Sequence, residues 1–175
     1  MEVNSILSQY GIFIKLSHII LTEIQSDSIK DIALEKSKSA FQSIAEPVIV
    51  EDDGLFIDEL NGFPGQYSSY VLKTIGTEGI LELLSKTKNR SASFKSCVAY
   101  YDGKTSKSFE GEIKGKISKG CLLNGWGYDP IFIPNGTSLT FGQLQTQNEK
   151  EKFSHRAKAL KVFVNWYDRF VKHSY

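Results

Sequence analysis

The chain has 175 residues, 41% hydrophobic and 23% charged, a composition that suits one globular domain spanning 1–175 with a substantial buried core. The 21 Lys and Arg against 20 Asp and Glu leave a net charge of +1, so no strong field draws the chain to nucleic acid or to a membrane surface. Cys97 and Cys121 lack a CxxC spacing and read as free thiols, and with neither a long apolar run nor a basic leader the expected location is the cytoplasm.

Val3, Ile6, Leu7 and Tyr10 recur at helical spacing and Gly11 stops the run, which predicts an amphipathic helix with a glycine cap at the start of the chain. IFIKL (12–16) and HIIL (18–21) read as extended, and the polar loop LTEIQSDS that follows holds Glu23. Ser28 with Asp31 predicts a helix start resembling a capping box, and the helix runs to about Ala45. Ile29, Ala33, Ala40 and Ile44 share one stripe of it. Lys36 falls in the middle of that stripe, where an ammonium must either snorkel to water or meet an anion. Pro47 ends the helix, and VIV (48–50) predicts a short buried strand.

EDDG (51–54) follows at once. Adjacent carboxylates repel, so the cluster is either a solvated acidic turn or a cation site at the carboxyl end of a strand. Mg²⁺ takes one or two protein carboxylates and completes its shell with water and phosphate oxygens. After the turn NGFPG (61–65), residues 66–75 and 77–86 carry two helical patterns, the second with Ile80, Leu83 and Leu84 on its face. Residues 93–103 read as a strand, Asp102-Gly103 as a hairpin turn, and 105–118 as the return strand.

The loop GWGYDPIF (125–132) places Trp126 between two glycines and leads into a strand, IFIP. KEKFSHRAKAL (150–160) gathers Lys150, Lys152, His155, Arg156 and Lys158 at a helix start capped by Ser154. That helix buries Leu160, Phe163, Val164, Tyr167 and Phe170. Its basic start is either a solvated end or an anion site. Strands alternating with helices predict an α/β or α+β fold. Acids for a metal, cations for phosphates and an aromatic loop for a flat ring together point to a nucleotide. The glycine patterns of P-loop and dinucleotide-binding folds are absent from the sequence.

LTEIQ, PVIVEDDGLFIDELNGFPGQYSSYV, GWGYDPIFIP, TFGQL and SHRAKAL occur in this order and cover nearly the whole chain. In these pieces the chain resembles the inosine-triphosphatase family, in the wording of its archaeal and eukaryotic branch. That family comprises pyrophosphatases that clear non-standard purine nucleoside triphosphates such as ITP, dITP and XTP. The resemblance implies an α/β fold: an elongated, mixed and twisted sheet with flanking helices, and two lobes around a nucleotide cleft. It implies a homodimer that uses Mg²⁺ to convert a nucleoside triphosphate and water to the monophosphate and pyrophosphate. Glu23 and Asp52 match the metal ligands, and Asp52 also the general base. Lys36 matches a helical lysine that reaches the phosphates. Trp126 matches an aromatic that stacks on the base, in a loop with Gly127, Tyr128 and Asp129. Lys150, His155 and Arg156 match contacts to base and phosphate.

Asp53 stands where the family usually has a Ser or Thr that contacts substrate. The family also opens with a strand ending in [ST]xNxxK, whereas MEVNSIL starts inside the expected first helix. Two expectations follow: a start assigned too late in the gene, or a truncated paralogue that binds nucleotide without catalysis.

Overall fold

A computed structural model of the chain describes residues 2–122 and 125–170. The first helix, α1 (Glu2–Ser8), buries Ile6 and Leu7. It ends as predicted at Gly11, whose φ of 69° belongs to the left-handed region. The Gly11 amide donates to the Ser8 carbonyl and the Ile12 amide to that of Leu7, which closes the helix end with two nested bonds. Helix α2 (Ile29–Ile44) starts where Ser28 Oγ accepts the Asp31 amide at 3.2 Å.

The segments at 12–16 and 18–21 that read as extended join no strand; residues 12–26 carry no helix or strand. Phe13, Leu16, Ile20 and Ile24 are exposed, while Ile12 and Ile14 are partly buried against the core that holds Ile6 and Leu7, so the segment has an inward side without joining the sheet. A second correction concerns the acidic cluster. The strand expected to end at Val50 continues as β1 (Val48–Ile57), so EDDG lies within a strand and not at its carboxyl end. Leu55 and Ile57 extend the buried alternation and hold the strand in the sheet.

Beyond β1 come β2 (Pro64–Gly65), α3 (Ser68–Thr74), α4 (Gly76–Leu83), β3 (Ser91–Tyr101), β4 (Ser106–Ile117), β5 (Phe132–Pro134), α5 (Phe141–Thr146) and α6 (His155–Phe170). The five strands form one antiparallel sheet in the order β2-β1-β3-β4-β5 with helices flanking it, and the fold is α/β as expected. Leu55 pairs with Gly65. There a Cβ on Gly54 would lie 2.3 Å from the Gly65 carbonyl oxygen, so only glycine fits beside Asp53. Strand β3, central in the order, is buried almost along its whole length, while β4 alternates with Phe109, Ile113 and Ile117 inward.

The described residues cluster into two compact units. The first comprises the chain up to Asp52, Ser96–Gly111 and the chain from Arg156 on. Its core joins Ile6 and Leu7 to Val98, Tyr100, Phe109, Leu160, Phe163 and Val164, while Phe170, expected on the same helical face, is exposed. The second comprises Asp53–Lys95 and Glu112–His155, with a core of Leu55, Ile57, Ile80, Phe94, Ile117, Phe132 and Phe141.

Candidate active site

In the first unit Lys36 projects from α2, and its Nζ lies 2.9 Å from Asp52 Oδ1 and 2.6 Å from Glu23 Oε1. The inward lysine has thus met anions, two of them. Asp52 comes from β1 and is mostly buried; Glu23 comes from the irregular 12–26 segment and is largely exposed. Burial alone would lower the Lys36 pKa. The hydrogen bonds from Glu23 and Asp52 and their charges outweigh it and hold the ammonium above the ordinary lysine value. One ammonium against two carboxylates leaves a net negative charge on the trio.

Two carboxylates converging on one cationic atom are a donor set that suits Mg²⁺. That ion keeps several waters and needs only one or two protein oxygens. Among the described residues no group of three or more His, Cys, Asp and Glu could hold a metal, which disfavours a closed, all-protein cage. Thiolate ligation by Cys97 is disfavoured as well, since burial pushes its thiol up to about 12.

Side chains of a strand alternate between its faces, so Asp52 points one way while Glu51 and Asp53 point the other. In the first unit Glu51 grips Arg156. The Arg156 Nε lies 2.6 Å from Oε1 and 2.7 Å from Oε2, and Ser96 Oγ donates to Oε1 at 2.8 Å.

In the second unit the glycine-bracketed loop folds into a tight turn, with the Asp129 amide donating to the Trp126 carbonyl at 3.1 Å. Gly127 takes a φ of 62°, which a side chain would strain. Trp126 is 76% exposed. Tyr128 behaves differently: its ring is buried in the core, and its hydroxyl donates to the Ser68 carbonyl at 2.8 Å. Burial pushes that phenol up to about 12, so it stays a neutral donor. Tyr128 therefore anchors the loop, while Trp126 presents a face to solvent. Asp129 is buried and accepts from Lys150 Nζ at 2.6 Å.

His155, also in the second unit, is 7% exposed and lies flat against Phe94, centroids 4.8 Å apart and planes 14° apart. Among the described residues neither ring nitrogen has a hydrogen-bond partner, and Asp53 Oδ2 lies 3.6 Å from Nε2. A buried imidazole with two unsatisfied nitrogens is costly in the absence of a ligand.

The structure thus joins Lys36 with Glu23 and Asp52, Asp129 with Lys150, and Asp53 with His155. Sequence reading missed Glu51 and Ser96, because nothing in a linear pattern pairs residues 105 positions apart. It also missed α5, although Thr140 and Gln143 carry the spacing of the complete capping box that starts it.

Residues 1–166 match the Ham1 family model. The chain is 49% identical to a dITP/XTP pyrophosphatase of Methanopyrus kandleri over 97% of this chain and 91% of that protein. It is 44% identical to a protein of the same name from Hyperthermus butylicus over 94% of this chain and 87% of that one. The fold matches the Ham1 protein of Staphylococcus aureus with a TM-score of 0.78 at 30% identity, over 86% of this chain and 81% of that one.

Proposed function

The chain belongs to the Ham1 family, and from that membership we propose that it hydrolyses non-standard purine nucleoside triphosphates to the monophosphate and pyrophosphate. The substrates are ITP, dITP and XTP. The observation that carries the reading is the convergence of Glu23 and Asp52 on the Lys36 ammonium.

Glu23 and Asp52 would hold Mg²⁺, which when bound offsets phosphate charge and acidifies a coordinated water. Asp52 takes the proton of the attacking water as the anhydride between the α- and β-phosphoryl groups opens. Lys36 and Lys150 stabilise the charge that develops on the phosphate oxygens. Trp126 stacks on the purine, with Gly127 giving the base close approach and Asp129 fixing the turn. His155 supplies a ring nitrogen to the substrate, and Arg156 donates to the 6-oxo group that marks these purines. A 6-amino purine cannot accept that bond and is rejected. Asp53, a carboxylate where the family has a hydroxyl, faces His155 rather than an anion. A homodimer in the cytoplasm completes the proposal.

The test is pyrophosphate release from dITP and XTP with Mg²⁺ at mildly alkaline pH, and its loss with EDTA. Absence of release under all these conditions would refute the reading.

A further inference from the structure

Glu51 has no place in the reaction described above, yet it makes a close pair of contacts. Both its carboxylate oxygens lie on Arg156 Nε, at 2.6 and 2.7 Å, and Oε1 also accepts from Ser96 Oγ at 2.8 Å. Three elements meet in this chain of bonds: β3 gives Ser96, β1 gives Glu51 and the first turn of α6 gives Arg156. Ser96 is fully buried, and Glu51 and Arg156 are about four-fifths covered, with side-chain exposures of 21% and 19%.

A guanidinium is planar, so a carboxylate on Nε–H fixes the plane in which its Nη donors lie. It also removes rotamer freedom before any ligand arrives, which makes later hydrogen bonding less costly.

We propose that Glu51 is the positioning residue for Arg156. It sets the guanidinium plane so that Arg156 discriminates a 6-oxo from a 6-amino purine, and Ser96 in turn orients Glu51. The proposal rests on the assignment of Arg156 to the base.

The experiment compares the wild type with Glu51→Ala and Glu51→Gln, using dITP and dATP as substrates and thermal melting as a control. Wild-type release of pyrophosphate from dITP establishes the underlying reading separately, and its absence refutes that reading rather than the role of Glu51. Given that activity, Glu51→Ala raises KM for dITP at least about fivefold with kcat held within about twofold. Its kcat/KM for dATP stays within about twofold, so the dITP:dATP ratio falls. Glu51→Gln, which keeps one acceptor oxygen, restores part of the ratio. Equal losses on both nucleotides, an unchanged ratio, or a loss cured by raising Mg²⁺ overturns the proposal. Should Glu51→Ala fail to fold, Ser96→Ala is read the same way, with an expected fall in the ratio of about two- to threefold; an unchanged ratio there overturns it too.

Discussion

The Lys36 ammonium lies 2.9 Å from Asp52 Oδ1, so a helix and a strand each deliver one half of an ion pair that is mostly screened from water. The bond holds the Asp52 carboxylate facing α2. Asp52→Asn keeps the shape and an acceptor for Lys36 but can neither take a proton nor offer full charge to a metal. Its kcat for dITP should fall about 10²- to 10⁴-fold. Thermal melting should show a folded protein close to the wild type, and a fall in activity of less than about tenfold would remove Asp52 from the role of base.

Lys36→Met leaves Glu23 and Asp52 facing one another without their counter-charge. Stability should drop by about 1–3 kcal/mol at neutral pH. Because the folded-state pKa of Lys36 is raised above 10.5, its stabilisation is fully present below that value and is lost as pH rises through the folded value. The gap in melting temperature between wild type and variant should therefore hold steady from about pH 7 to 10 and narrow at more alkaline pH. Mg²⁺ should raise the melting temperature of the variant more than that of the wild type, since no ammonium competes for the two carboxylates.

Trp126 contributes little to the folded state, since the residue is 76% exposed. Trp126→Ala should change stability by no more than about 0.5 kcal/mol in chemical denaturation. Loss of a stacked base should weaken ITP binding by about 1–3 kcal/mol, roughly five- to 150-fold in Kd by isothermal titration. Unchanged affinity would take Trp126 out of the site.

Tyr128 should give the opposite pattern. Tyr128→Phe removes the bond to the Ser68 carbonyl and keeps the ring, at a cost of about 0.5–1.5 kcal/mol in stability. Nucleotide affinity should move by less than about twofold, because the hydroxyl faces the core. A large loss of affinity with normal melting would instead give Tyr128 a direct contact.

The sequence made the helices legible where caps and periodicity agreed. Ser28, Gly11 and the Leu160–Phe163–Val164 stripe all behave as their spacing predicts. The inward Lys36 was the most informative residue, because a charge on an apolar stripe demands a partner. Where the reading failed, the cause was non-local. IFIKL has the composition of a strand, but a strand exists only through its neighbours. EDDG looks like the end of a strand because acids rarely lie within one. In the sheet, opposite charges allow it: Asp52 meets Lys36, and Glu51 meets Arg156. Glu51 itself was invisible as a distinct residue, since only the folded chain shows that neighbouring acids serve different partners.

Strand β1 carries the three acids of residues 51–53 on alternating faces, and each has its own partner: Arg156 for Glu51, Lys36 for Asp52 and His155 for Asp53. What each acid does is therefore a matter of odd and even position. Exchanging one letter of the strand alters one partnership at a time. Deleting a single residue between Val48 and Glu51 shifts the parity of everything before the cut and leaves the buried ends to choose between two incompatible alignments. The length of this segment should thus be far more tightly held than its spelling, so a library of point changes would return folded protein where a library of one-residue gaps would not.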